Sequence, residues 1–88
     1  MTQLGKPVPK FRFQLGRKEE LVCACPAGSL LLELAGSVLS VYLPTEDTWQ
    51  MVAPRWARSE WRVLHDELKV WCDRNSVILV VSSDAFVS

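Results

Sequence analysis

Residues 59–73, SEWRVLHDELKVWCD, decide the fold, because they predict an amphipathic helix over residues 59–74. Ser59 is a suitable N-cap, and Asn75 can adopt the left-handed conformation that ends a helix. A longer helix that begins near Arg55 is the alternative. At about 100° per residue, the apolar side chains form one stripe that would pack on a sheet. The stripe consists of Trp61, Leu64, Leu68 and Trp71, with Cys72 and His65 on its border.

Strands are predicted on both sides of this helix in the chain. Residues 76–83 contain the β-branched run SVILVVS, whose lack of alternation predicts a strand covered at least in part on both faces. Residues 10–43 predict a β-meander, since short apolar or alternating segments are separated by glycine, proline and polar turns. The Leu-rich run 29–35 is also compatible with a helix, but the glycines that bracket it favour a strand. The four strands of the meander cover residues 10–15, 20–25, 29–35 and 38–43.

The remaining segments connect these elements. Residues 1–9 contain a glycine and two prolines and are predicted to form an extended arm. Residues 44–58 form a connecting loop, in which Trp49–Val52 is compatible with a short edge strand. Together the elements predict one α+β domain of residues 1–88 in the order ββββαβ. It has a mostly antiparallel sheet of about five strands, one amphipathic helix near the C-terminus on one face, and a final strand inserted into the sheet.

Composition narrows the class of protein. The 88 residues include 10 basic and 10 acidic side chains, and 49% of them are hydrophobic. This balance excludes a disordered tail and a basic nucleic-acid module. No apolar run is long enough to span a membrane, and the N-terminus lacks the apolar segment of a signal peptide, so we expect a cytoplasmic protein. The cysteine count of 3 is odd, which argues against a closed disulfide framework.

One set of residues suggests metal or thiol chemistry. Cys23 and Cys25 would point the same way from a strand, and His65 and Cys72 would share a helix edge. If the helix lay over that strand, the four side chains would form a zinc- or thiol-dependent site. A C-x-C pair is not the usual spacing of zinc ligands, however, and buried free thiols explain the same residues. No further catalytic constellation is visible, so we expect no enzymatic activity and no cofactor.

A second apolar stripe lies nearly opposite the first. Trp56, Val63 and Val70 are spaced by seven residues, and they are either covered by the 44–54 loop or the tail, or contact a partner protein. Tryptophan is strongly enriched at binding hot spots, so Trp49 joins the predicted contact set. Carboxylates interrupt the basic residues of the helix, which leaves weak nucleic-acid binding as an alternative only. The predicted rim of the contact surface consists of Arg55, Arg58 and Arg62.

These features predict a small protein-binding module of the immunity, adaptor or regulatory type, which binds another protein or a second copy of itself and no membrane. One helix cannot cover both faces of a five-stranded sheet, so either the sheet curls on itself or a partner covers the far face. A homodimer would use that face or the open edge at Lys10–Leu15. The order of strands, Trp- and Pro-containing loop and late helix resembles that of small bacterial immunity proteins. This resemblance concerns the fold alone and implies a bacterial origin.

Overall fold

The computed structural model describes residues 8–17, 19–85 and 87–88 and shows an α+β fold. The predicted fold class is confirmed, since a five-stranded, mostly antiparallel sheet packs with a C-terminal helix in the order ββββαβ. Most of the predicted N-terminal arm, together with positions 18 and 86, lies outside the described residues. The elements are β1 Arg12–Leu15, β2 Glu20–Cys25, β3 Gly28–Ala35, β4 Ser40–Pro44, α1 Glu46–Val52, a 3-10 helix Arg55–Glu60, α2 Trp61–Asn75 and β5 Ile78–Ser82.

Strands β1 to β4 form the predicted meander, and the Leu-rich run is a strand. Cys25 pairs with Gly28, which leaves a Pro-Ala turn between β2 and β3 in which proline sets the φ angle. The turn between β3 and β4 begins at Gly36, which has a φ of +99°. A Cβ on Gly36 would lie 2.8 Å from the Val38 carbonyl oxygen, so this position requires glycine. Because the turn is longer than predicted, β4 begins at Ser40 and not at position 38.

The final strand joins the sheet at its edge and is not inserted between other strands. β5 pairs in parallel with β4, and Val41 lies opposite Leu79. The hairpins already give β2 and β3 a neighbour on each side, so β5 could pair only at an edge of the sheet, and it pairs with β4. Its faces are only partly covered, since Ile78 is 49% exposed and Val81 is 42% exposed.

The C-terminal residues return to the sheet beyond β5. Ser88 exchanges backbone hydrogen bonds of 3.0 and 3.1 Å with Leu31, and Val87 forms a bridge with Leu32. β4 pairs with β3 only over residues 33–35. The tail therefore supplies hydrogen-bond partners for the backbone of Leu31, which lies earlier in β3.

A short helix occupies most of the predicted connecting loop. α1 follows Thr45, whose Oγ1 accepts a hydrogen bond from the N–H of Thr48 at 3.3 Å. Two acidic residues in its first turn interact favourably with the helix dipole. The alternative of an edge strand at Trp49–Val52 is wrong, because these residues complete the capped helix.

The predicted C-terminal helix begins earlier and has two parts. The 3-10 helix follows Pro54 and leads directly into α2. Ser59 lies inside the 3-10 helix and is therefore not the N-cap. The longer alternative, with a start near Arg55, describes the helical segment better, since the fixed φ of proline suits the entry into a helix.

The end of α2 differs by one residue from the prediction. Ser76, and not Asn75, adopts the left-handed conformation, with φ 57° and ψ 40°, and its N–H donates to the Cys72 carbonyl. Asn75 donates instead from Nδ2 to the Trp71 carbonyl at 2.8 Å. Both contacts satisfy carbonyl groups that the last turn of a helix leaves free.

The core lies between α2 and one face of the sheet. Leu64, Leu68 and Cys72 are at most 1% exposed, which confirms the predicted packing stripe. Trp61 and Trp71 are half-buried and pack against this cluster from its margin. The buried strand side chains on the same side are Leu21, Cys23, Leu30, Leu32, Leu34, Val41 and Leu43.

The beginning of β1 is bound to α2. The Glu67 carboxylate accepts hydrogen bonds from the backbone N–H groups of Lys10 and Phe11, at 2.9 and 2.8 Å. The Lys10 ammonium lies 2.9 Å from Glu60, and this hydrogen bond raises the pKa of Lys10. These contacts determine where the chain enters the sheet.

Candidate interaction surface

Trp49 lies in the core and not on the surface. It is 0% exposed, and its Nε1–H donates to the Ala57 carbonyl at 2.8 Å. The adjacent Gln50 donates to the Arg58 carbonyl, also at 2.8 Å. The prediction that Trp49 contacts a partner is therefore wrong. Its indole packs in the core, and the hydrogen bond from its N–H links α1 to the 3-10 helix.

Trp56 packs against the β2–β3 hairpin. A Cβ at Gly28 would lie 2.8 Å from Cε2 of the indole and 2.9 Å from its Nε1. The side chain is half-buried and contacts the core cluster. A 3-10 helix has 3.0 residues per turn, so the spacing of seven to Val63 does not place Trp56 on a common face of one α-helix. The predicted stripe is therefore interrupted between Trp56 and Val63.

Val63 and Val70 remain exposed on α2, by 39% and 50%. They lie about 10 Å apart along the helix axis. Val70 borders a groove of about 440 Å³ between the start of β1 and α2, which Phe13 and Trp71 also line. The structure thus leaves these two valines exposed but does not join them to Trp49 or Trp56.

The predicted basic rim is of mixed charge. Arg55, Arg58 and Arg62 are all exposed, but Arg62 lies 3.7 Å from the Glu46 carboxylate. Binding to nucleic acid depends on a surface that neutralises several phosphates. The described part of the helix shows arginines interspersed with carboxylates, which is a poor match for such a surface.

Two of the three cysteines are buried in one core cluster. Cys23 is 0% exposed and Cys72 is 1% exposed, while Cys25 is half-buried. Burial raises the pKa of Cys23 to about 12 and that of Cys72 to about 11. Both thiols are therefore protonated at neutral pH, and the thiolate is the form that acts as a nucleophile or a metal ligand.

His65 contacts Trp61 and Asp66 at the edge of α2. Its ring stacks on Trp61 with centroids 5.0 Å apart, and its Nδ1 lies 3.0 Å from the Asp66 carboxylate. Within the described ranges, no three His, Cys, Asp or Glu side chains are arranged to hold a metal ion. The structure therefore does not bring His65 and the cysteines together as the ligand set of the predicted zinc site.

The other face of the sheet carries apolar side chains that do not join the core. The register places Val22 opposite Leu31 and Tyr42 opposite Val80, with Ile78 on the same face. We call these five residues the open face. Ile78 is 49% exposed, the other four are half-buried, and none belongs to the core cluster or packs against it. Since alternate side chains point to opposite faces, the open face forms an apolar strip on β2, β3, β4 and β5, which Glu33 interrupts where it lies opposite Tyr42.

Two acidic side chains border and interrupt the apolar strip. Glu20 lies directly opposite Glu33, and Glu33 lies opposite Tyr42. Like charges in a directly opposed pair are unfavourable, by up to about 1 kcal/mol. The open face therefore combines an apolar strip with a border that attracts a basic group.

None of the five residues of the open face was in the predicted contact set, although a partner on the far face of the sheet was one of the alternatives left open. Alternation in β2 and β3 separates two faces in each strand, but it does not give the order or the register of the strands. The available signal was the number of apolar side chains on both faces, which one helix cannot cover.

No protein-family model, no curated protein and no solved structure matches the chain. None of the helices in the described residues is both long and apolar enough to cross a bilayer. The functional proposal is therefore based on the surface of the molecule.

Proposed function

We propose that this protein is a small, non-enzymatic protein-binding module that acts by stoichiometric association, as immunity, adaptor and regulatory proteins do. The observation that carries the proposal is the open face, an apolar strip on the side of the sheet opposite the core. A sheet that is apolar on a face normally buries it against a second layer. A partner protein supplies that layer here.

The chemistry of the open face indicates the chemistry of the partner. Tyr42 lies within the strip, and tyrosine is among the residues that contribute most at interfaces. Glu20 and Glu33 form the acidic border beside it. A complementary partner presents an apolar surface with a lysine or arginine that meets these two carboxylates.

Free thiols support a role without covalent chemistry in a reducing compartment such as the cytoplasm. Cys23, Cys25 and Cys72 are all free, and structural disulfides are rare in reducing compartments. The raised pKa values of Cys23 and Cys72 keep these two thiols unreactive.

The test is affinity capture from cells that naturally produce the protein, with the full chain, Leu31→Lys and Val63→Lys as baits. Leu31 lies in the open face, whereas Val63 is exposed on α2. Val63→Lys is therefore the control, because it introduces the same charge on the helix and not on the open face. We expect the full chain and Val63→Lys to retain one protein in near-equimolar amount. Leu31→Lys should retain at least about tenfold less, since a charge added to an apolar interface costs more than about 1.4 kcal/mol.

A second variant tests the charge of the partner without changing the apolar strip. Glu33→Lys, at an exposed position, should also weaken retention, because it would repel a basic partner group. Circular dichroism confirms that each bait is folded. Equal retention by the full chain, Leu31→Lys and Glu33→Lys would contradict the proposal, as would the absence of any equimolar partner of the full chain.

A further inference from the structure

We propose that β5 is a homodimerisation edge, at which two copies of the chain pair their β5 strands antiparallel across a two-fold axis. The inference goes beyond the proposed function, because it concerns the edge of the sheet and not the open face, and because its partner is a second copy. The two sheets would become one continuous sheet.

The outer edge of β5 presents backbone groups for pairing. The N–H of Ile78 donates to the Leu39 carbonyl at 3.0 Å, so the backbone groups of Ile78 face β4. Successive residues of a strand direct their N–H and C=O groups to opposite sides. Leu79 and Val81 therefore direct theirs outward, where β5 is the last strand of the sheet that the described residues form.

The side chains of β5 do not protect this edge. Ile78–Ser82 has the sequence ILVVS, without a charged residue or a proline. Ile78 and Val81 lie on opposite faces and are 49% and 42% exposed. Charged residues and proline are the usual means by which proteins prevent the pairing of edge strands.

The other edge of the sheet carries such protection. β1 contains Arg12, which is exposed, and it follows Lys10. The backbone N–H of Phe11, at the start of that edge, already donates to Glu67. The structure thus favours β5 over the predicted edge at Lys10–Leu15 for a homodimer.

β5 is complementary to itself under two-fold symmetry. With Val80 of each copy on the axis, Leu79 lies opposite Val81 of the second copy. Leu79 and Val81 are the residues that face outward, so both pairs on either side of the axis become hydrogen-bonded pairs that exchange N–H···O bonds in both directions. The same register places Ile78 opposite Ser82 of the second copy, and no two charged side chains of the strands meet.

The expected association is weak, because one edge strand makes a small interface. Contacts that bury less than about 1,200 Å² in total are typical of transient complexes. We therefore expect a dissociation constant in the micromolar range, on the order of 10 to 100 µM.

Sedimentation equilibrium of the purified full chain and of three variants tests the inference over a concentration range that brackets these values. Val81→Pro removes an outward N–H and leaves the β4–β5 ladder intact, since proline is tolerated where the N–H faces solvent. Val81→Lys adds a charge to the same edge. Leu15→Lys places the same charge on β1, where Leu15 is 57% exposed.

The full chain and Leu15→Lys should double in mass with increasing concentration, and both Val81 variants should remain at the mass of one chain. Circular dichroism checks that the variants are folded, and Val81→Lys decides the result if Val81→Pro does not fold. A full chain that stays monomeric throughout overturns the inference. Dimerisation of the folded Val81 variants at the affinity of the full chain, or its loss in Leu15→Lys, also overturns it. None of these results depends on the capture experiment with Leu31→Lys, so the two proposals fail separately.

Discussion

Replacement of Gly28 by alanine tests whether Trp56 belongs to the core or to a contact surface. The new methyl group would lie 2.8 Å from Cε2, 2.9 Å from Nε1 and 3.0 Å from Cζ2 of the Trp56 indole. Carbon atoms in favourable contact are about 3.5–4.0 Å apart. The indole or the hairpin must therefore move by about 0.7 Å or more, and forced overpacking of this kind costs about 1–3 kcal/mol.

A double-mutant cycle makes the prediction specific to this contact. Removal of a fully buried tryptophan side chain costs about 3–5 kcal/mol, so we expect Trp56→Ala, at a half-buried position, to lower the free energy of unfolding by about 2 kcal/mol. Gly28→Ala alone should lower it by about 3 kcal/mol, of which overpacking contributes about 2 kcal/mol and the strain of alanine at a φ of +159° about 1 kcal/mol. In the Trp56→Ala background, Gly28→Ala should cost only about 1 kcal/mol of backbone strain at a φ of +159°, because the indole atoms that the methyl group meets are gone. The coupling free energy is then about 2 kcal/mol.

Urea unfolding followed by circular dichroism measures all four proteins of the cycle. With an m-value of about 1 kcal/mol/M, Trp56→Ala shifts the midpoint by about 2 M and Gly28→Ala by about 3 M. Val63→Ala is the control, since Val63 is 39% exposed, and it should shift the midpoint by less than about 0.5 M. A coupling free energy below about 0.5 kcal/mol would refute the contact between Gly28 and Trp56. Unchanged stability of Trp56→Ala together with lost association would show that Trp56 is a contact residue after all.

Three further predictions concern local stability. Thr45→Ala should lower the free energy of unfolding by about 1 kcal/mol through loss of the N-cap of α1, measured by urea unfolding, and Thr45→Ser should retain most of it. The raised pKa values of Cys23 and Cys72, about 12 and about 11 against 9.0 for the free thiol, mean that the folded protein holds these protons more tightly than the unfolded chain. Their stabilising contribution is therefore present below pH 9 and is lost as pH rises through about 9 to 12, by up to about 1.4 kcal/mol per pH unit for each thiol. Urea titrations at successive pH values measure this loss, and Cys23→Ala should reduce its slope. Glu67→Gln should destabilise the protein by about 1–2 kcal/mol by weakening the charge-assisted hydrogen bonds at the start of β1, and the amide of Phe11 should exchange faster with solvent.

Each of these predictions has an outcome that contradicts it. Equal losses in Thr45→Ala and Thr45→Ser would show that the cap does not stabilise α1. A free energy of unfolding that is independent of pH above 9, or a slope unaffected by Cys23→Ala, would contradict the burial of the thiols. Unchanged exchange at Phe11 in Glu67→Gln would show that the carboxylate does not hold this segment, and Asp66→Asn, at an exposed neighbouring position, serves as the matched control.

The helix α1 shows what local sequence signals could have provided. Pro44 and Thr45 are followed by two acidic residues, which is the usual pattern at a helix start. The sequence predicts a connecting loop here, because residues 45–47 suit a turn and Trp49–Val52, which Pro54 ends, suits a short edge strand. The N-cap contact of Thr45 with Thr48 explains why the helical alternative is adopted.

The second stripe on the predicted helix shows where periodicity alone fails. A spacing of seven residues places side chains on one face only if the intervening segment is continuous α-helix. The 3-10 helix ends at Glu60, so the spacing of seven residues does not place Trp56 and Val63 on one face. Nothing in the local sequence states that the indole would meet Gly28, because that contact depends on tertiary packing.

The individual strands could be predicted from the sequence, but the surface that they form together could not. Alternation in the first strand and short apolar segments between glycine, proline and polar turns predicted the four strands of the meander, and the uncharged run at 76–82 predicted β5. The pairing of Tyr42 with Val80 and the edge position of β5 come from long-range pairing, which one sequence does not display. The candidate site therefore emerged from register and not from any motif.

Measuring the solvent exposure of individual methyl groups tests most directly whether this protein associates through its open face. Relaxation caused by a soluble paramagnetic agent would be measured by NMR on the free protein and on its complex with the captured partner. Association through the open face shields the methyl groups of Val22, Leu31 and Val80 in the complex, while those of Val63 and Val70 on α2 stay as exposed as before. Shielding of Val63 and Val70 with no change at Val22, Leu31 and Val80 would contradict it.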